Sequence, residues 1–243
     1  MFYLFRKEIT GFFSSLTGYI VIISFITITG LFLWVFDSPL NIIEGGYASL
    51  DSLFYIAPWV FLVLVPAITM RMFSEEKKTG TLDLLLTRPL SESQIIIAKY
   101  AAAIVLVILS LIPTFVYYIS VALLGNPAGN LDTGATWGSY TGLFFLACSY
   151  AIIGLCCSSL TDNIIVSFLL TVALCMFVCF GFDQIGKLNT FSTLGDIFIG
   201  LGIAGHYKSM SRGVIDSRDI VYFMALGAVF FLFTRYNLEK RKW

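Results

Sequence analysis

The sequence predicts an all-α integral membrane protein with six transmembrane helices, and three observations carry that prediction. Hydrophobic residues fill 58% of the 243 positions and charged residues only 12%, where an ordinary globular domain carries roughly 25% charged residues. The apolar residues gather into six runs, most of them near the roughly 17 to 25 residues needed to cross about 30 Å of hydrocarbon. The basic residues collect at alternate ends of those runs, which is the pattern expected when cytoplasmic loops keep the positive excess.

The chain opens with an amphipathic stretch, residues 1–17. At about 100° per residue, Phe2, Phe5, Ile9, Phe12, Phe13 and Leu16 share one arc, while Arg6, Lys7, Glu8, Thr10, Ser14 and Ser15 lie outside it. Such a stretch is expected to lie in the membrane interface with lipid under its apolar face. The six spans follow as Tyr19–Phe36, Tyr55–Met70, Ile96–Leu124, Trp137–Leu160, Ile164–Phe182 and Ile220–Thr234. With the N-terminus inside, eleven basic residues fall on the cytoplasmic side, among them Arg6, Lys7, Lys77, Lys78 and Lys99, against Lys187, Lys208, Arg212 and Arg218 outside. Both termini are then expected in the cytoplasm, and residues 1–243 are expected to form one membrane domain.

The loops differ in kind. "DSPLNIIEGGYASLDS" and "GNPAGNLDTGAT" hold no basic residue and carry turn formers, so they read as connectors. Residues 183–219 contain "IFIGLGIAG", too short to cross, and predict an outer re-entrant or interfacial element. Residues 73–89, "FSEEKKTGTLDLLLTRP", are the most polar interval in the first half of the chain. There Leu82, Leu85 and Leu86 have the spacing of one helical face, with Leu84 pointing away. Pro89 disfavours helix at Arg88, and Ser91 with Gln94 makes a capping box that restarts the chain as span three. The segment predicts a short cytoplasmic rod at the foot of two spans, its Leu82 face turned to a partner and Leu84 to the bundle. Glu75 and Glu76 are expected to make exposed ion pairs of little weight.

The run from Glu75 to Leu90, with Glu75, Glu76, Gly80, Thr81, Leu82, Leu85, Leu86 and Pro89 in it, resembles the segment after the second span of ABC-2-type ABC transporter permeases. The resemblance extends over nearly the whole chain. "HYKSMSRGVIDSRDIVYF", from His206 to Phe223 and including Arg212 and Gly213, is similar to the gliding-motility-associated, GldF-type subfamily. The resemblance implies a permease without catalytic residues, whose segment 73–89 is a coupling helix against a dimer of ABC ATPase subunits. ATP and Mg would sit on those partners, with no cofactor and no metal in this chain. It further implies a second permease subunit, in the gliding relatives a different chain with a large outer domain.

The remaining residues narrow the function classes. The chain has no G-x-x-x-x-G-K-[ST], since its one Gly-Lys, Gly186-Lys187, precedes Leu188. Fifteen basic and fifteen acidic residues cancel, so no field favours nucleic acid. The five cysteines lie in apolar runs and read as small packing residues, because Cys175 and Cys179 lack the four ligands of a structural zinc site. With Lys99 counted at the cytoplasmic end, the six cores hold no ionisable residue, which disfavours an ion-coupled carrier. Pro66 and Pro113 are candidate kinks in spans two and three. His206 stands alone in an outer loop and makes a poor catalyst. The reading that competes with transport is a membrane anchor for an ATPase-containing envelope complex.

Overall fold

A computed structural model describes residues 1–87, 90–127, 129–186 and 195–240. Among the described residues the chain is built from α-helices without strands. Five helices are long and apolar enough to cross a membrane, and a sixth crossing follows if the bent pair at the N-terminus counts as one span.

Helix α1 (Phe2–Ser14) meets α2 (Leu16–Trp34) at a bend of 68°. The elbow is Ser15, in extended geometry, and it closes tightly because a Cβ on Gly18 would lie 2.5 Å from the Phe12 carbonyl oxygen. The amphipathic stretch therefore ends at Ser14 rather than at residue 17. Of its apolar arc, Phe5, Ile9, Phe12 and Phe13 pack on the bundle together with Leu4, whereas Phe2 and Leu16 are exposed. A four-residue helix, α3 (Ile42–Gly45), follows in the first loop, its N-terminus capped by the Asn41 side chain.

Span two is longer than its apolar run. Helix α4 (Asp51–Thr69) continues through α5 (Arg71–Lys78) as one rod of 28 residues. At 1.5 Å per residue that is about 42 Å, so its last turns stand clear of a ~30 Å hydrocarbon layer. Gly80, at φ 70°, ends the rod, and α6 (Thr81–Leu86) is all that remains of a separate helix. The expected rod over 73–89 is thus corrected: its first half belongs to span two. Pro66 lies inside α4 without ending it.

Span three restarts at the Ser91–Gln94 capping box, whose two reciprocal bonds are both present, and runs as α7 (Glu92–Leu111). A 3-10 turn over Ile112–Thr114, containing Pro113, joins it to α8 (Phe115–Leu124). Proline supplies no amide hydrogen to the α ladder, which accounts for the break. Helix α9 (Thr133–Leu160), capped by Asp132, is the hub, packed against α4, α5, α7, the helix that follows it and the last two helices. Gly154 permits the closest approach: a Cβ there would fall 2.0 Å from Thr69 Oγ1 of α4.

Helix α10 (Ile164–Met176) passes through a π turn at Phe177–Gly181 into α11 (Phe182–Gly186). The loop expected at 183–219 contains two further helices, α12 (Gly195–Leu201) and α13 (Ile203–Met210), separated at Gly202. Tyr207 of α13 donates to the Phe54 carbonyl at 2.6 Å, and Ser139 donates to that of Ser211 at 2.8 Å. These bonds hold α13 against the opening turns of α4 and α9. The last span, α14 (Ser217–Lys240), extends past its apolar run at both ends.

Candidate functional site: a charge cluster behind the hairpin of spans two and three

The hairpin between α5 and α7 is backed by four charged side chains from three elements. Lys99, in the second turn of α7, is 0% exposed. Its ammonium donates to Glu8 Oε1 of α1 at 2.7 Å and to the Met72 carbonyl of α5 at 2.6 Å, and lies 3.0 Å from Glu76 Oε2. Glu76, 8% exposed, also accepts from Lys7 at 2.6 Å. The Phe73 ring covers the ammonium from 5.1 Å, an attractive arrangement for a desolvated cation.

Two cations and two carboxylates leave the cluster neutral, which is what makes its burial tolerable. An uncompensated charge in such a place costs several kcal/mol. Lys7 is the exposed member: burial pulls its pKa down, but the hydrogen bond to Glu76 and the charges of Glu76, Glu8 and Glu75 outweigh that and raise it above 10.5. The expectation that Glu76 pairs weakly in solvent is therefore corrected. It faces inward and joins α1 to α7, while Glu75, one residue earlier, is exposed.

A second set of bonds fixes the rod to the hub. Ser158 Oγ of α9 accepts from the amides of Phe73 and Ser74, each at 3.0 Å, and donates to the Met70 carbonyl at 3.0 Å. Lys77 donates to the Ser159 carbonyl and lies 3.9 Å from Asp162. Beyond this anchored section the hairpin tip turns at Gly80, beside Thr79 and Thr81, whose hydroxyls lie 2.9 Å apart.

The leucines of α6 face opposite to the sequence expectation. Leu82 is 0% exposed in the core and Leu85 packs against it, whereas Leu84 is 68% exposed. The reason is the turn at Gly80. It aims the first turn of α6 back at the bundle, and spacing alone does not set that direction. Of the other residues expected here, Thr81 is exposed, Pro89 lies outside the described residues, and so does the side chain of Leu86.

At the opposite end of the bundle, His206 is not alone. Its Nδ1 lies 2.7 Å from Asp219 Oδ1, its Nε2 lies 3.0 Å from the Gly200 carbonyl, and its ring stacks on Tyr222 at 4.0 Å. It clamps α12 and α13 to the start of α14. Gly213 takes φ 83° and lies so close to Ala135 that a Cβ would meet its Cα at 2.3 Å, so it is a packing residue. Arg212 is exposed beside a cavity.

Lys99 was the residue that sequence reasoning missed. An ionisable side chain inside an apolar run marks a functional position, and assigning Lys99 to the cytoplasmic charge count concealed that signal. Glu8 carried no signal of its own, because it lies on the polar side of α1.

A helical bundle with five or six apolar spans and a hairpin anchored at one end defines the class as a multi-pass membrane protein. A family model described as ABC-2 family transporter protein matches residues 35–201, from the end of α2 to the end of α12 and including Glu76, the hairpin and Lys99. The chain belongs to the ABC-2 transporter family. No curated protein matches it. Membership makes the chain the permease subunit of an ABC transporter and implies an ABC ATPase as partner.

Proposed function

We propose that the hairpin at Gly80 receives the ATPase and that the charge cluster passes its displacement to the spans. The observation that carries this reading is the convergence of α1, α5 and α7 on Lys99 immediately behind the hairpin. A hairpin joined to three elements through desolvated charge pairs transmits a tilt to all of them, because each pair loses much of its energy on separation. The exposed Leu84, with the exposed Glu75 and Lys78 of α5, is the surface offered to the partner. ATP and Mg belong to that partner, present as a dimer.

In this reading the Lys99 end is cytoplasmic, both termini lie there, and the membrane is a bacterial inner membrane. The resemblance of His206 to Phe223 supports a gliding-motility-associated transporter of exporter or mechanical type, with a second permease that carries a large outer domain.

Replacement of the exposed leucine tests the contact. Burying a leucine contributes roughly 1.5 to 3 kcal/mol, and Leu84→Asp adds the desolvation of a carboxylate. Leu84→Asp permease should be made in normal amounts yet bind its ATPase at least about tenfold more weakly. Leu82→Asp should instead reduce folded permease. Normal ATPase affinity in Leu84→Asp would overturn the contact, and ATP hydrolysis indifferent to the permease would favour the anchor reading.

A further inference from the structure

At the His206 end, a cavity of 780 Å³ lies between α4, α9 and α13. Its charged lining residues come from three elements: Asp51 in the first turn of α4, Asp132 at the N-cap of α9, and Lys208 and Arg212 from α13 and the turn after it. All four are exposed, and among the described residues none makes an ion pair. Asp132 Oδ1 accepts from the Ala135 amide, leaving its second oxygen for a ligand.

Further along α4 the lining changes character. Trp59 lies eight residues into α4 from Asp51, about 12 Å further along the helix, and stacks on Phe180 at 4.6 Å and 16°. A cavity charged at one end and aromatic about two helical turns further along fits an amphiphile, whose headgroup meets the charges and whose chains begin at the rings.

We propose that this cavity binds a zwitterionic phospholipid whose headgroup carries both a phosphate and a primary ammonium. Lys208 and Arg212 take the phosphate, since guanidinium and ammonium groups form strong charge-assisted bonds with phosphate oxygens. Asp51 and Asp132 take the ammonium, and the acyl chains begin along Trp59 and Phe180. Two cations and two carboxylates that do not neutralise one another match such a headgroup in both signs. A singly anionic lipid satisfies only half of them. This site does not depend on the hairpin reading.

The test uses the full chain purified in detergent, stripped of lipid and re-exposed to phosphatidylethanolamine or phosphatidylglycerol, with retained lipid counted by native mass spectrometry. Phosphatidylethanolamine should be retained about tenfold better than phosphatidylglycerol, the difference of one charge-assisted contact. Lys208→Gln/Arg212→Gln should lower retention of both lipids. Asp51→Asn/Asp132→Asn, in which asparagine still caps α9, should remove the preference and leave phosphatidylglycerol binding intact. Because the four positions are exposed, an unchanged size-exclusion profile accompanies each result. Equal retention of the two lipids, or unchanged retention in Lys208→Gln/Arg212→Gln, overturns the proposal. Displacement of the lipid by soluble phosphoethanolamine at equal concentration would assign the cavity to a small zwitterion instead. ATPase binding, measured on the same preparations, tests the hairpin contact separately.

Discussion

Lys99 is the residue on which α1, α5 and α7 converge. Its ammonium has no exposed surface and answers two carboxylates and a carbonyl, so its removal leaves Glu8 and Glu76 with only the half-solvated Lys7. Breaking a buried pair in this way costs about 3 to 5 kcal/mol. Lys99→Met should therefore lower the thermal midpoint of the detergent-solubilised permease sharply. Adding Glu8→Gln removes one of the two stranded charges, so Lys99→Met/Glu8→Gln should be more stable than Lys99→Met alone. Additive losses in that cycle would show that the three groups do not act as a unit. Glu75 is a contrast on the same helix, exposed, where a charge pair is worth about 0 to 1 kcal/mol.

Among the elements, α9 decides how closely the others approach. Ser158 gathers the amides of Phe73 and Ser74, and Gly154 lets α4 lie against the hub. With a Cβ at Gly154 only 2.0 Å from Thr69 Oγ1, Gly154→Ala must push α4 and α9 apart. Overpacking of this kind typically costs about 1 to 3 kcal/mol. The expected result is a lower thermal midpoint with Ser158 pulled from its amides, and Ser158→Ala added to Gly154→Ala should then cost little more. The capping box at Ser91 and Gln94 was legible as a local signal, because it depends on residues within four positions; the 3-10 turn at Pro113 was not, since Pro66 offers the same signal inside an unbroken α4. The direction in which α6 points was not, because Gly80 and the packing of Leu82 set it.

For the whole molecule, the arrangement makes a statement about sidedness that chemical labelling checks. The proposed orientation, drawn from the positive excess at the Lys99 end, puts that end in the cytoplasm. In a background without the five cysteines, Ser209→Cys on α13 should react with a membrane-impermeant thiol reagent applied from outside, and Thr79→Cys at the hairpin should not. The reverse pattern would invert the molecule. Six apolar runs were readable along the chain, but the true lengths of spans two and six were not. Arg71–Lys78 and the ends of Ser217–Lys240 are helical because they pack on α9 or continue an established ladder, and their polar composition hides this from a hydropathy count.

By itself the sequence determined that this chain lives in a membrane, roughly where it crosses, and where its third span begins. Those properties depend on composition and on spacings of a few residues. Only the tertiary structure decided that Lys99 meets Glu8 across 91 positions, that Lys7 meets Glu76 across 69, that Leu82 rather than Leu84 faces the core, and that His206 clasps Asp219. Periodicity shows that residues share a face of a helix, but the rotation of that helix against its neighbours is set by packing. In a bilayer the pull toward burial is weak for every apolar side chain. The placement of a few charges, seeking partners out of reach of water, therefore does much to set the rotation.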